Sequence, residues 1–274
     1  MVLDMNDNKT GYVSTGRMQL HYRRYGSGPK LLIAFHGYGN EATIFSPFAP
    51  FIGATYTLYS IDLPHHGNSH WDAGTKLEKK DLVKLATNLM KEMSTNKCSL
   101  LGYSIGGRVC LSIIEQMPEH IDKVLLIAPD GLVFNPLYYF VTRNFAGKRL
   151  FNSFLSNPKK YMRYIDWMKE KKYLSTAQYN FGMNYLGSRE DRNFLLKVWP
   201  DLSRIITSAT TVKAAIIKHR IPVYIFMGAY DRVIPVKNAD SFKGLETVTI
   251  YVAEKGHRVF DKDTMPQMAE CLLA

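Results

Sequence analysis

Three residues in this sequence have the types and the order along the chain that nucleophilic acyl transfer requires. Ser104 lies in the segment GYSIG, from Gly102 to Gly106, where small residues on either side allow a sharp turn that presents the hydroxyl. A serine hydroxyl needs a general base, and that base needs a carboxylate to orient it. We therefore predict Ser104 as the nucleophile, His257 as the base and Asp231 as the orienting acid.

Short apolar runs alternate with longer helical patterns along most of the chain. Runs of this length and composition are typical of parallel strands that are buried on both faces. Their alternation with helices predicts an α/β fold with a doubly wound, mostly parallel sheet. Before the first run, Tyr12–Tyr25 has turn residues in its middle and is interpreted as a hairpin. The six runs are Leu31–Phe35, Thr57–Ile61, Cys98–Leu101, Val124–Ala128, Val223–Met227 and Val248–Val252.

All three predicted catalytic residues follow runs of this kind. Ser104 follows the third run, Asp231 the fifth and His257 the sixth. Because loops at the carboxyl ends of parallel strands converge on one edge of a sheet, we expect the three side chains to meet there. Asp130, which follows the fourth run, is the alternative for the orienting acid.

Two backbone N–H groups are predicted to form an oxyanion hole. A helical pattern begins directly after Ser104, so the Ile105 N–H would point, with the helix dipole, at a developing oxyanion. His36 and Gly37 follow the first apolar run directly, and the loop that begins there is predicted to supply the second donor, the Tyr38 N–H. His36 itself is interpreted as structural, because the role of base is already assigned.

The sharp turn at Ser104, called the nucleophile elbow, is flanked by two candidate substrate-binding residues, Tyr103 and Arg108. A cation in the first turn of a helix opposes the helix dipole at a cost of roughly 0.3–1 kcal/mol, so Arg108 is expected to have an anionic partner. A nearby carboxylate such as Asp62 or Glu115 is one interpretation of that partner. The other is a carboxylate of the substrate.

One long stretch of the chain contains no strand-like run. We predict that residues 132–216 form a helical cap and that residues 1–131 and 217–274 form the core domain. Most of the many aromatic residues in this stretch are expected to build the cap's own core, and a few to line an apolar substrate pocket. They are Tyr138, Tyr139, Phe140, Phe145, Phe151, Phe154, Tyr161, Tyr164, Trp167, Tyr173, Tyr179, Phe181 and Tyr185.

The segments HGYG, DLPHHGNS, GYSIGG, GAYDRVIP and a late GH together resemble the α/β-hydrolase superfamily. The resemblance covers Leu31–Gly131 and Pro222–Leu273, essentially the chain outside the predicted cap. It implies the α/β-hydrolase fold, a cap inserted after the sixth strand, and structural roles for Asp62 and His66. His65 stands where members of the family usually have glycine.

The resemblance and the predicted triad favour a serine hydrolase that cleaves a carboxylic ester through an acyl-enzyme, with no cofactor and no metal. Dehalogenation and epoxide opening are disfavoured, because relatives with those activities carry aspartate at the position of Ser104. A thioester or a carbon–carbon bond is an alternative, since the same triad serves both. A lyase of a polyacidic substrate is another, because some relatives in menaquinone biosynthesis have a similar GYSxGGR elbow. An alternative of a different class is a non-catalytic small-molecule binder.

The net charge of the chain, +11, is concentrated in the predicted cap, which holds fourteen basic and five acidic residues. One interpretation is a solvated, soluble face. The other is a field that draws an anionic small-molecule substrate, or an anionic membrane surface, toward the cleft. Nucleic acid is not an expected partner, because no stacking motif or helix-turn-helix pattern accompanies the charge. The oligomeric state is left open.

The cellular compartment is predicted from three further features. The longest apolar runs have about five residues, whereas a membrane-spanning helix needs about 20, so stable membrane insertion is not expected. The first residues are polar and lack the apolar segment of a signal peptide. Cys98, Cys110 and Cys271 have no metal-binding spacing and are interpreted as buried free thiols. Together these features predict a cytoplasmic protein.

Overall fold

The computed structural model describes residues 9–71, 74–173 and 188–274, together with residues 176, 179 and 183. The N-terminal residues 1–8 and two of the aromatic residues considered above, Phe181 and Tyr185, lie outside this description. The chain forms two compact units. The larger unit comprises the described residues up to Val133 and those from Ile205 to Ala274, and the smaller comprises the described residues from Phe134 to Arg204.

A nine-stranded sheet, counted over the described residues, forms the centre of the larger unit. Eight of the strands follow one path in the order β1-β2-β4-β3-β6-β7-β8-β9, and the short β5 pairs with β2. The strands are β1 (Lys9–Ser14), β2 (Met18–Tyr25), β3 (Lys30–Phe35), β4 (Tyr56–Ile61), β5 (His70–Trp71), β6 (Cys98–Tyr103), β7 (Ile121–Ile127), β8 (Val223–Gly228) and β9 (Val248–Ala253).

The pairing confirms the predicted α/β fold with a mostly parallel sheet. β4, β3, β6, β7, β8 and β9 pair in parallel, whereas β1 and β2 form an antiparallel hairpin and β2 also joins β4 in antiparallel fashion. Five of the six apolar runs lie entirely in strands, and the fourth lies in β7 except for its last residue, Ala128, which follows the strand. The central strands are apolar along their length because both of their faces are covered, and every residue of β4 and β6 is buried.

The helices of the described chain are distributed over both units. The larger unit contains α1 (Ala49–Ile52), α2 (Lys79–Glu92), α3 (Ile105–Gln116), α8 (Ala209–His219) and α9 (Met265–Leu273), and the smaller unit contains α4 (Pro136–Arg143), α5 (Phe145–Ser156), α6 (Lys159–Glu170) and α7 (Arg189–Leu202). The 3₁₀ segments are Ala42–Phe48, Pro118–His120, Ser203–Ile205 and Val236–Phe242.

Helix α3 anchors the layer of helices on the sheet. Nine consecutive residues, Gly106–Ile114, are buried, and the helix contacts β6, β3, α2 and α8. A helix covered on this many sides has little freedom to shift, so its first turn is held firmly against the sheet edge where Ser104 lies.

The smaller unit is made of helices and has an aromatic core of limited size. Trp199 stacks on Phe151 with ring centroids 5.4 Å apart, and the Tyr138 hydroxyl donates to the Trp199 carbonyl oxygen at 2.8 Å. The expectation that most of the aromatic residues named for the predicted cap are core residues is wrong for the described ones, because only Tyr138 and Phe151 among them are buried. The exposed aromatic residues described in the smaller unit are Phe134, Tyr139, Phe140, Phe145, Tyr164, Trp167 and Tyr173.

Two further observations concern helix hydrophobicity and the cysteines. Within the described part of the chain, no helix has both the length and the hydrophobicity needed to cross a bilayer. Cys98, Cys110 and Cys271 are buried free thiols, and burial raises the pKa of Cys98 to about 12. A thiol with so high a pKa is protonated at neutral pH and is a poor nucleophile.

Candidate active site

Ser104 lies in a strained turn between β6 and α3. Its backbone has φ +52° and ψ −117°, a conformation that L-residues adopt only when the surrounding structure imposes it. Hydrogen bonds on both sides hold it there, from the Ser104 N–H to the Ile127 oxygen at 2.9 Å and from the Asp130 N–H to the Ser104 oxygen at 2.8 Å. The turn places the side chain at the carboxyl edge of the sheet.

The two glycines of the GYSIG segment are required by close backbone contacts. A Cβ atom on Gly102 would lie 2.7 Å from the Gly106 oxygen, and one on Gly106 would overlap the Phe35 carbonyl group of β3. The spacing in the sequence therefore has a steric cause, because α3 begins in contact with the neighbouring strand. Any larger residue at position 106 would push the helix away from β3.

Two hydrogen bonds join the three predicted catalytic side chains. His257 Nε2 lies 3.0 Å from Ser104 Oγ, and His257 Nδ1 lies 2.7 Å from Asp231 Oδ2. Ser104 is 8% exposed and the Asp231 side chain is fully buried, whereas 24% of the His257 side chain is exposed. The three residues follow β6, β8 and β9, so the sheet edge brings them together from distant parts of the chain.

The Asp231 carboxylate is fixed by the loop that follows β8. Its Oδ1 accepts hydrogen bonds from the N–H groups of Val233 and Ile234, each at 2.8 Å. Those two bonds leave Oδ2 directed at His257. A carboxylate held in this way orients the imidazole ring with Nδ1–H toward Asp231 and Nε2 toward Ser104.

Asp130, the alternative acid, has a different partner. Its carboxylate forms an ion pair with Arg108 in the first turns of α3. The sequence interpretation that a nearby carboxylate pairs with Arg108 agrees with this ion pair, but the carboxylate is that of Asp130. Of the two examples suggested, Asp62 pairs with His21 and Glu115 pairs with Lys79. The cause is topological, because β7 lies beside β6 and delivers Asp130 next to the helix that β6 leads into.

The loop that carries Tyr38 is held by two buried histidines. The Leu63 N–H donates to His36 Nε2 at 3.0 Å, and the Gly39 N–H donates to His66 Nε2 at 3.2 Å. Both rings must be neutral to accept these bonds. Burial lowers the pKa of His66 to about 4, and burial together with the neighbouring His66 places the pKa of His36 well below its usual range.

Asp62 organises the second loop, which follows β4. Its carboxylate accepts from the Ala42 N–H at 2.6 Å, from the Asn68 N–H at 3.0 Å and from His21 Nδ1 at 2.8 Å. His65, in the place where the family usually has glycine, adopts φ +68°. The turn is therefore formed with a histidine in the left-handed conformation.

Tyr103 lies beside the predicted base. Its ring centroid is 5.5 Å from that of His257 and 5.0 Å from that of Phe260, and its side chain also faces Gly37. Tyr103 lines a pocket of about 300 Å³ in the larger unit together with Gly39, Asn40, Glu41, Thr43, Ile44 and Arg258. Sequence reasoning missed Arg258, although its position directly after His257 was a signal that it lies close to the site.

No cluster of three or more His, Cys, Asp or Glu side chains suited to a metal ion occurs within the described residues. Ile105, the first residue of α3, presents a backbone N–H that the helix itself cannot satisfy. The polar groups described near Ser104 are therefore the His257–Asp231 pair and the Ile105 N–H.

The sequence matches a family model described as the alpha/beta hydrolase fold over residues 30–263. An uncharacterized hydrolase of Bacillus subtilis, strain 168, is 28% identical over 115 residues, which cover 42% of this chain and 42% of that protein. A pimeloyl-[acyl-carrier protein] methyl ester esterase of Aeromonas salmonicida, strain A449, is 30% identical over 111 residues, covering 40% of this chain and 42% of that protein. The matched region spans about two fifths of the length of these relatives.

A solved structure with a similar fold is that of 2-hydroxy-6-oxo-6-phenylhexa-2,4-dienoate hydrolase from Rhodococcus sp. strain RHA1. It has a TM-score of 0.65 and 20% sequence identity, and the alignment covers 97% of this chain and 99% of that one. At this identity the similarity establishes the fold alone.

Proposed function

Because the chain belongs to the α/β-hydrolase-fold family, we propose that it is a serine hydrolase that cleaves a carboxylic ester through an acyl-enzyme on Ser104. The observation that carries the proposal is the pair of hydrogen bonds from Ser104 to His257 and from His257 to Asp231, at 3.0 and 2.7 Å. The similarity to an esterase of acyl-carrier-protein methyl esters supports the ester as the bond that is cleaved.

The first half of the proposed reaction forms the acyl-enzyme. Ser104 Oγ attacks the ester carbonyl carbon while His257 Nε2 takes the hydroxyl proton. The resulting imidazolium is stabilised by Asp231, which receives the Nδ1–H and is itself held by two backbone donors. When the tetrahedral intermediate collapses, His257 gives the proton to the leaving alcohol.

The second half repeats these steps with water as the nucleophile. His257 takes a proton from water, the hydroxide attacks the acyl carbon, and the returned proton releases Ser104 together with the carboxylic acid. In both halves the carbonyl oxygen becomes negatively charged. We assign its stabilisation to the Tyr38 and Ile105 N–H groups, and the bonds from Leu63 to His36 and from Gly39 to His66 support a rigid loop around Tyr38.

The remaining elements of the proposal concern the substrate and the smaller unit. We propose a small-molecule substrate, with residues 132–216 as the cap of the enzyme. The helices α4 to α7, between Pro136 and Leu202, support a helical character for that segment. Hydrolases of thioesters and of carbon–carbon bonds use the same kind of triad, so they are distinguished from an esterase by comparing activity on the three kinds of substrate. A non-catalytic binder is distinguished by the absence of turnover.

The experiment that tests the proposal measures a covalent intermediate. The wild-type protein should release p-nitrophenol from p-nitrophenyl acetate in a burst and should carry an acetyl group on Ser104 by mass spectrometry. Ser104→Ala should lose about 10³–10⁶ in kcat with the fold intact by circular dichroism, because members of a triad act as a unit.

A matched control is available in α3, the helix that follows Ser104. Ser112 is fully buried in α3, and its hydroxyl has no hydrogen-bond partner among the described residues. Ser112→Ala therefore makes the same side-chain change two turns further along the chain and should leave the burst unchanged. Near-full activity in a folded Ser104→Ala protein would contradict the proposed nucleophile, and a wild-type protein without turnover on any ester or thioester would favour the binder.

A further inference from the structure

The pocket of about 300 Å³ in the larger unit lies beside the Tyr103 ring. Three of its lining residues are chain neighbours of proposed machinery. Tyr103 precedes Ser104, Arg258 follows His257 and Gly39 follows Tyr38. The Tyr103 ring also lies 5.5 Å, centroid to centroid, from the His257 ring, and His257 Nε2 lies 3.0 Å from Ser104 Oγ. Tyr103 therefore connects the pocket to the proposed reacting groups.

Arg258 contributes the positive charge of this pocket. Its guanidinium lies over the Phe260 ring, 5.9 Å from the ring centroid. Phe260 is buried and packs edge-on against Tyr103, so the guanidinium rests on a fixed surface. Among the described residues, no carboxylate lies within ion-pair distance of Arg258. Arg258 is exposed and lines the pocket, so its guanidinium is accessible to a bound anion.

Three of the other lining residues are polar, whereas Ile44 is apolar. Asn40 and Thr43 supply an amide and a hydroxyl, and Glu41 is the one acidic residue among the lining residues. The Thr43 hydroxyl donates to Glu41 Oε1 at 2.9 Å, which directs one of the carboxylate oxygens toward Thr43. An apolar acyl chain would leave these groups without partners, whereas a polar, charged group would satisfy them.

We propose that this pocket is a substrate subsite that binds a carboxylate on the substrate through Arg258, so that the preferred esters are half-esters of dicarboxylic acids. The proposal rests on the proposed function, because it names the substrate class for the same nucleophile. A guanidinium binds a carboxylate with two parallel hydrogen bonds, which fixes the orientation of the substrate as well as its position. A carboxylate near the ester therefore gains affinity, and a neutral ester of the same length does not.

The test compares two esters of similar size, p-nitrophenyl hydrogen glutarate and p-nitrophenyl pentanoate. The measured quantity is the ratio of their kcat/KM values in about 0.5 M salt, where the Debye length is about 4 Å and steering by distant charge is screened. Arg258→Met should lower this ratio by about 10-fold or more, since a hydrogen bond to a charged group is lost. Glu41→Gln should raise this ratio, because the variant lacks a negative charge that repels the substrate carboxylate.

Lys262 provides the matched control. It is exposed, lies four residues after Arg258 and is not part of the pocket lining. Lys262→Met removes the same net charge from the same region and should leave the ratio within about 2-fold of the wild type. A ratio that falls equally in Arg258→Met and Lys262→Met, or that does not fall in Arg258→Met, would overturn the subsite.

A binding measurement separates this inference from the proposed function. Calorimetric titration of monomethyl glutarate into Ser104→Ala and into Ser104→Ala/Arg258→Met requires no turnover. Tighter binding to the variant that retains Arg258, with no such difference for dimethyl glutarate, supports the subsite even if the wild type hydrolyses neither ester. Equal binding to the two variants overturns it even if the wild type is an active esterase.

Discussion

At the scale of single residues, the two aspartates at adjacent strand ends differ by their partners. Asp231 receives two backbone N–H groups and contacts the histidine that reaches Ser104, whereas Asp130 pairs with Arg108. Both carboxylates are close to the elbow along the sheet edge. Because of these different partners, we propose a role in the reaction for Asp231 and a role in the packing of α3 for Asp130.

We predict that Asp231→Asn lowers kcat/KM on a single neutral ester by about 10³–10⁴, because an amide cannot stabilise the imidazolium and favours the wrong ring tautomer. Asp130→Asn keeps the same shape at the neighbouring strand end. It should lower kcat/KM by less than about 10-fold and act mainly on stability through Arg108. The opposite ranking of the two variants, in proteins that remain folded by circular dichroism, would assign the orienting role to Asp130.

At the scale of elements, the loops after β3 and β4 depend on neutral imidazole rings. The bond from the Gly39 N–H to His66 Nε2 exists only while that nitrogen is unprotonated. The pKa of His66 is lowered from 6.5 to about 4 in the folded protein by burial. The unfolded chain therefore binds more protons than the folded chain between these two values, so stability falls as the pH decreases through this window.

We predict that the free energy of unfolding decreases between pH 6.5 and about 4 by up to about 1.4 kcal/mol per pH unit from His66. His66→Gln should reduce this slope, because the amide oxygen accepts the same bond and does not titrate. His66→Leu should show the same reduced slope with lower stability at pH 7, since it has no acceptor. Urea titrations at several pH values measure the slope for the wild type and both variants. An unchanged slope in both variants would contradict a titrating His66.

At the scale of the whole molecule, the charge distribution is strongly uneven. Residues 132–216 contain fourteen basic and five acidic residues out of a chain with net charge +11. Such a field raises the encounter rate with an anion and is screened beyond roughly 8–10 Å at physiological salt. It therefore affects kcat/KM without requiring a contact, unlike the proposed pairing of a substrate carboxylate with Arg258.

We predict that kcat/KM for p-nitrophenyl hydrogen glutarate falls several-fold between about 0.01 and about 0.15 M salt, while that for p-nitrophenyl pentanoate does not. Stopped-flow or steady-state assays at low substrate concentration measure both slopes. The double variant Lys171→Ser/Lys172→Ser removes two exposed positive charges of the smaller unit and should flatten the slope of the charged ester. Equal slopes for the two esters in the wild type would leave the basic residues with a role in solubility alone.

Much of this protein follows from its sequence by itself. The apolar runs predicted the parallel strands, because a strand covered on both faces must be apolar at every position. The order of Ser104, Asp231 and His257 after three such runs predicted that they would meet at one sheet edge. The glycines of GYSIG predicted the turn, since it allows no side chain where α3 touches β3.

Only the tertiary structure decided which long-range partners these residues have. Strand order placed β7 beside β6 and thereby paired Asp130 with Arg108, and it placed β3 beside β6, so that Gly37 lies against Tyr103. Local patterns specify which face of an element is buried but not which distant element covers it. The pocket at Arg258 and the exposure of aromatic residues in the smaller unit depend on which elements cover them, and local sequence patterns do not specify this.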